Sequence, residues 1–134
     1  ENDKLETMVV RMREYVAQTL ESKNIHTSIS IDERILNNTL DMKQRRDFFL
    51  IYREAINNIA KYADATAVTV DIIKTGNNLQ MAITDNGKGF DPIVVSSSNG
   101  LKNMQSRAAA LNGSLQIDTA PGKGTSVILL LPAT

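Results

Sequence analysis

A chain of 134 residues has room for one compact domain and not for two. Hydrophobic residues at 42% and charged residues at 22% allow a real core, and aromatics at only 4% make that core aliphatic. A formal net charge of +0 argues against a nucleic-acid platform or a polybasic membrane patch, and the absence of cysteine excludes disulfides, thiolate catalysis and cysteine-held zinc.

Residues 3 to 23 form an amphipathic pattern in which Leu5, Met8, Val9, Met12, Val16 and Leu20 recur at helical spacing among charges, which predicts a core-covering helix. Residues 26 to 31 alternate polar and apolar, as a strand does. A second helix is expected over 43 to 63. Residues 67 to 74 and 79 to 85 alternate again around a turn of Thr75, Gly76, Asn77 and Asn78, so they read as a β-hairpin. A polar, glycine-bearing stretch runs from Asn86 to Gly100, followed by a third helix from about Leu101 to Leu111 that stops at Asn112 and Gly113. A second hairpin, 114 to 119 and 125 to 131, closes the chain around residues 120 to 124. This interleaving lacks the regular alternation of a doubly wound parallel sheet. It predicts an α/β two-layer sandwich, with a mixed, largely antiparallel sheet and helices on one face.

Three places carry candidate chemistry. On the helix over 43 to 63, Phe48, Tyr52, Ala55, Ile56, Ile59 and Ala63 share one arc, the core face. Glu54, Asn58 and Lys61 stack at i, i+4 and i+7 on a separate stripe, with Tyr62 between the two. Adjacent asparagines cost helix propensity in mid-helix. A carboxylate, a neutral amide oxygen and an ammonium could jointly serve a metal–triphosphate, although a solvated polar face has the same composition. In Asp85-Asn86-Gly87-Lys88-Gly89-Phe90, an acid ends a strand just before two glycines. Such a carboxylate can accept from an exocyclic amine like that of adenine and would repel the carbonyl of guanine, while glycines let backbone approach a flat ligand. An ordinary turn is the plain alternative. Ser98, Asn99, Gly100 and Leu101 enter a helix N-terminus, either as an anion site or as a simple N-cap. Gly122-Lys123-Gly124-Thr125 lacks phosphate-loop spacing and reads as a hairpin connection.

Taken in order, Glu54 to Tyr62, Asp85 to Phe90, Gly100-Leu101 with Met104 and Arg107, and Pro121-Gly122 with Gly124-Thr125 resemble the N box and glycine boxes of the GHKL ATPase superfamily. The resemblance covers nearly the whole chain and is closest to the catalytic domain of bacterial sensor histidine kinases, in the subgroup typified by nitrate and membrane-lipid sensors. There the N box begins with Glu, as at Glu54. It implies the Bergerat fold, with a left-handed β-α-β arrangement and ATP held between the N-box helix and a lid. Asn58 would ligate Mg²⁺, and Glu54 would be the nearby acid that positions water, metal or nucleophile. Lys61 would reach the phosphates and Tyr62 would stack on adenine. Asp85 would accept from the adenine amino group, Gly87 and Gly89 would shape the base pocket, and the hydroxyl of Thr125 would lie near that contact. Residues 91 to 100 would be the lid, with Gly100 and Leu101 at its closing edge. Two positions depart from the usual pattern: Ser98 stands where the lid usually has Gly, and Asn103 where Gly often precedes the Met.

The resemblance further implies phosphoryl transfer to a histidine on a separate dimerisation domain, then to an aspartate of a response regulator. His26, the single histidine, sits at the head of a predicted strand and is expected to be a surface residue, not the phosphoacceptor. The chain opens on Glu1, has no bilayer-length apolar run and carries no signal-peptide pattern, so it reads as a piece of a cytoplasmic region whose parent could be membrane-anchored. The fragment is expected to be a monomer, its parent a homodimer. A serine kinase of the same fold, of the anti-sigma-factor type, and a non-catalytic ATP-gated interaction module are the alternatives.

Overall fold

The computed structural model describes residues 5–36, 40–90 and 99–132. Among these residues three helices, α1 (Leu5–Thr19), α2 (Met42–Asn58) and α3 (Asn99–Ala110), accompany five strands, β1 (His26–Ile31), β2 (Ala67–Thr75), β3 (Asn78–Asp85), β4 (Ser114–Thr119) and β5 (Thr125–Pro132). The sheet order is β1-β2-β3-β5-β4. β1 and β2 are parallel and every other neighbouring pair is antiparallel. The parallel pair needs a crossover, and the segment supplying it carries α2.

Strand alternation decides which face is covered. Val68, Val70 and Ile72 of β2, Leu79, Met81 and Ile83 of β3, and Val127, Leu129 and Leu131 of β5 are buried in one core cluster with the helices. The residues between them on β2, Thr69, Asp71 and Ile73, are exposed. The result is the two-layer mixed sandwich expected from the pattern, with α2 packed between α1 and α3. Its core face is the predicted arc: Phe48, Tyr52, Ala55, Ile56, Ile59 and Ala63 are all buried. An asparagine costs a helix interior roughly 0.5 kcal/mol, whereas burying a Phe48 or an Ile56 contributes roughly 1.5–3 kcal/mol. Packing therefore holds α2 helical through Asn57 and Asn58. Asp41 starts the helix with a reciprocal capping box, its carboxylate accepting from the Gln44 N–H while the Gln44 side chain accepts from the Asp41 N–H.

Helix boundaries differ from the sequence reading in three places. The first helix is α1 plus a separate 3₁₀ turn at Glu21–Lys23, with Asn24 left-handed at its end. The second helix does not run on to residue 63: the α-helix ends at Asn58, and Ile59–Ala63 form a π turn closed by left-handed Asp64. α3 begins two residues earlier than expected and ends at Ala110, with Asn112, at φ 58°, as the left-handed cap beyond it. Gly76 takes φ 61° at the first of the two residues turning β2 into β3, a value that favours glycine.

Candidate nucleotide site

Between the helical layer and the β3–β5 end of the sheet lies a cleft of about 310 Å³. One wall is Ala55, Asn58, Ile59 and Tyr62, from α2 and the π turn; a second is Leu101 and Met104 of α3; the floor is Ile83, Asp85, Ile117, Thr125 and Val127, with Phe90 at the edge. The lining is mainly apolar and carries few polar groups, the make-up of a site for a flat organic ligand.

Asp85 is the charged group of that floor. It is the last residue of β3, 5% exposed, and its ladder partners are Val68 on β2 and Thr125 on β5. The Gly87 N–H donates to its Oδ1 at 2.7 Å. Burial pushes its carboxyl above the usual carboxylate range, and the backbone N–H groups of Gly87 and Thr125 pull it partly back. Among the described residues no cation pairs with it. Its free acceptor capacity faces a cleft.

The glycines of the motif serve this carboxylate indirectly. A Cβ on Gly87 would strike the backbone of Ala63, and one on Gly89, at φ 68°, would strike that of Ala120. Neither glycine lines the cleft. Instead of letting backbone approach a ligand, they let the turn after Asp85 press against the π turn and the last hairpin. Asn86 points elsewhere: its amide oxygen accepts from the N–H groups of Thr66 and Ala67, at 2.9 and 3.0 Å, and ties the end of β3 to the start of β2.

Thr125 lines the cleft, but its hydroxyl lies 2.8 Å from that of Thr119, while its backbone N–H serves Asp85. Thr119 Oγ1 also lies 3.2 Å from the Gly124 carbonyl oxygen and accepts from the Phe90 N–H at 2.9 Å. The Thr125 hydroxyl is thus held by a neighbour, beside Asp85, its ladder partner. Thr119 escaped the sequence reading because its importance comes from a hairpin partner.

On the opposite wall the two asparagines part company. Asn57 accepts from the Tyr15 hydroxyl of α1 at 2.6 Å, whereas Asn58 lines the cleft. Glu54 is half-buried beside it, and Gly100, in the first turn of α3, presses on both: a Cβ there would come within 2.9 Å of Glu54 Oε2 and 3.5 Å of Asn58 Nδ2. A carboxylate at that helix N-terminus is favoured by the helix dipole. Glu54, Asn58 and Gly100 are therefore brought together as the motif order suggested. Lys61 is not brought to the cleft; it is exposed in the π turn, where i→i+5 geometry breaks the i, i+4, i+7 stripe. Tyr62 lines the cleft with 54% of its surface exposed. Among the described residues no cluster of three or more His, Asp or Glu side chains could hold a metal. Glu54 and Asn58 alone fit Mg²⁺ better than a stronger-binding ion, because Mg²⁺ keeps waters and phosphate oxygens as ligands.

Of the expected lid, residues 91 to 100, residues 91 to 98 with Ser98 lie outside the described residues, while Asn99 and Gly100 belong to the first turn of α3, where Leu101 is buried. Asn103 is exposed in a groove with Lys43 and Arg46, away from the cleft. Arg107 reaches Asp47 on α2 at 3.4 Å. His26 is exposed on edge strand β1. No described helix is long and apolar enough to cross a membrane.

Residues 43–134 match the family described as histidine kinase-, DNA gyrase B-, and HSP90-like ATPase. The signal transduction histidine-protein kinase/phosphatase UhpB of Salmonella typhimurium is 36% identical over 110 residues, which are 82% of this chain and 22% of that protein. The kinase/phosphatase DegS of Brevibacillus brevis is 32% identical over 130 residues, 95% of this chain and 33% of that one. The chain thus spans about a third or less of the length of these curated relatives. Among solved structures, the mycobacterial sensor histidine kinase MprB superposes with a TM-score of 0.73 at 18% identity, over 97% of this chain and 95% of that one, a likeness of fold.

Proposed function

Because this chain belongs to the histidine kinase-, DNA gyrase B- and HSP90-like ATPase family, we propose that it binds Mg²⁺–ATP in the cleft and donates the γ-phosphoryl group to a histidine on a dimerisation domain beyond these 134 residues. The names of its relatives support a sensor histidine kinase over a serine kinase of the same fold. The parent would then be a homodimer that hands its phosphoryl group to a response regulator, while this fragment alone is a monomer working in the cytoplasm, where ATP is.

The observation that carries the reading is Asp85, a buried carboxylate with only backbone partners among the described residues, at the floor of an apolar cleft. It accepts from the adenine amino group and leaves the carbonyl of guanine without a donor, so base selectivity follows from an unmet partner. Tyr62 offers a ring face at the cleft wall. Asn58 holds Mg²⁺ through its amide oxygen, and the half-buried Glu54 beside it orients water or the incoming nucleophile. Lys61 meets the phosphates from the exposed rim by its long stem. Gly87 and Gly89 fix the turn that holds Asp85, the Thr125 N–H donates to its carboxylate, and Gly100 and Leu101 close the wall. When bound, Mg²⁺ offsets phosphate charge, so the residues have chiefly to position and neutralise.

Calorimetry of the chain with Mg²⁺–ATP and Mg²⁺–GTP tests the site: ATP should bind and GTP should not. Mixing the chain with a fragment bearing the dimerisation helices and radiolabelled ATP tests the reaction. Acid-labile, base-stable label is expected; base-labile label on serine would support the other kinase, and no label despite ATP binding a non-catalytic module.

A further inference from the structure

The π turn lies where the cleft is built, and it is pinned from outside the cleft. A π turn is rare and costs hydrogen-bond geometry, so something must hold it. Three tertiary contacts do. On the last turn of α2, two residues ahead of the π turn, the Tyr15 hydroxyl of α1 donates to Asn57 Oδ1 at 2.6 Å, next to Asn58. In its middle, Lys23 Nζ, from the 3₁₀ turn after α1, donates to the Ala60 carbonyl at 3.1 Å. At its end, the Lys88 N–H donates to the Ala63 carbonyl at 2.8 Å. The last belongs to the Asp85 turn; the other two come from α1 and its 3₁₀ turn, which supply no residue to the cleft.

We infer that Tyr15 and Lys23 are positioning residues for the nucleotide site, clamping the end of α2 and the π turn after it so that Asn58 and Tyr62 face the cleft. The inference rests on the proposed ATP site and adds who sets its helical wall. Relaxed into a plain α-helix, residues after Asn58 would turn about 100° per residue, and Tyr62 would leave its present bearing. Tyr15 suits the task because its ring is wedged edge-on against Phe49 and Tyr52, with centroids 6.1 and 6.3 Å away, which fixes where its hydroxyl points.

The test uses variants that keep packing. Tyr15→Phe removes one oxygen and leaves the ring; Lys23→Met keeps the stem without the ammonium. Two readouts are needed: amide hydrogen exchange over residues 57–63 in the nucleotide-free chain, and the Kd for Mg²⁺–ATP well below the melting temperature. Tyr15→Phe is expected to speed exchange in that segment and weaken binding roughly three- to ten-fold, as loss of one net hydrogen bond implies. Lys23→Met should act in the same direction and less, because its contact is exposed. Adding Asn57→Ala to Tyr15→Phe should cost little more. If the wild type binds ATP and both variants bind it equally well, or bind it worse with unchanged exchange over 57–63, the clamp is wrong while the ATP site stands. If the wild type does not bind ATP, the proposed function falls and takes the inference with it.

Discussion

Two acids are buried among the described residues, Asp47 at 4% and Asp85 at 5% exposure, and they are buried in opposite ways. Asp47 on α2 is met by two cations, Lys43 one turn earlier at 3.0 Å and Arg107 on α3 at 3.4 Å. Its charge is answered inside the protein, and it fastens α3 to α2. Asp85 meets no cation among the described residues, only backbone N–H groups, and it fronts a cleft. A buried charge with all its partners present is architecture; one left with open acceptor sites is a place for something to bind.

The contrast breaks most sharply on substitution. Asp85→Ala should weaken ATP binding about 100-fold, the scale of a lost hydrogen bond to a charged group, with melting temperature unchanged or higher; calorimetry beside a thermal melt reads both. Asp47→Ala should do the reverse. It should lower stability by about 2 kcal/mol, short of the full cost of an abandoned buried charge because Lys43 and Arg107, 54% and 38% exposed, can turn to water. ATP affinity should then change by less than about three-fold, and a larger loss would show that the α2–α3 fastening also shapes the cleft. Tyr62→Ala should fall between, weakening ATP roughly five-fold through lost stacking while the melt, for a residue this exposed, barely moves.

The smallest effect is one of pH. Burial raises the folded pKa of Asp85 above its ordinary value of 3.8. A group shifted upward on folding contributes stability that is complete below the ordinary value and lost as pH rises through the folded one. At neutral pH, ionised Asp85 is therefore a cost to the fold. Asp85→Asn, although unable to select adenine, should melt at or above the wild type near pH 7.5. That advantage should fade as pH falls from the raised value toward 3.8. A variant that melts lower at every pH would mean that the carboxylate is structural after all.

As cleft residues, Asp85 and Asn58 were legible because their neighbours announce them: an acid ending an alternating strand before two glycines, and asparagines set in a helix they disfavour. Asp47 was not legible, since an acid on a helix ordinarily faces water, and only the approach of Arg107, 60 residues later, buries it with a partner. The glycines were legible as necessary but not in their role. A positive φ is local, but what a Cβ would strike is not: for Gly87 it is Ala63 and for Gly89 it is Ala120. The bearing of Lys61 was not legible for a related reason: a stripe drawn with α-helical period assumes a helix that stays α, and the π turn sets Lys61 on the exposed rim.

By itself the sequence determined the spans of the strands, the core face of α2 and the two hairpins, because each follows from a period or turn chemistry contained within a few residues. Tertiary structure decided that β3 pairs with β5 and β1 with β2, that Asn57 binds α1 while its neighbour Asn58 faces the cleft, and that the N-box helix ends in a π turn. Each of these depends on a group far along the chain arriving to satisfy a donor, acceptor or surface that local sequence can only leave open.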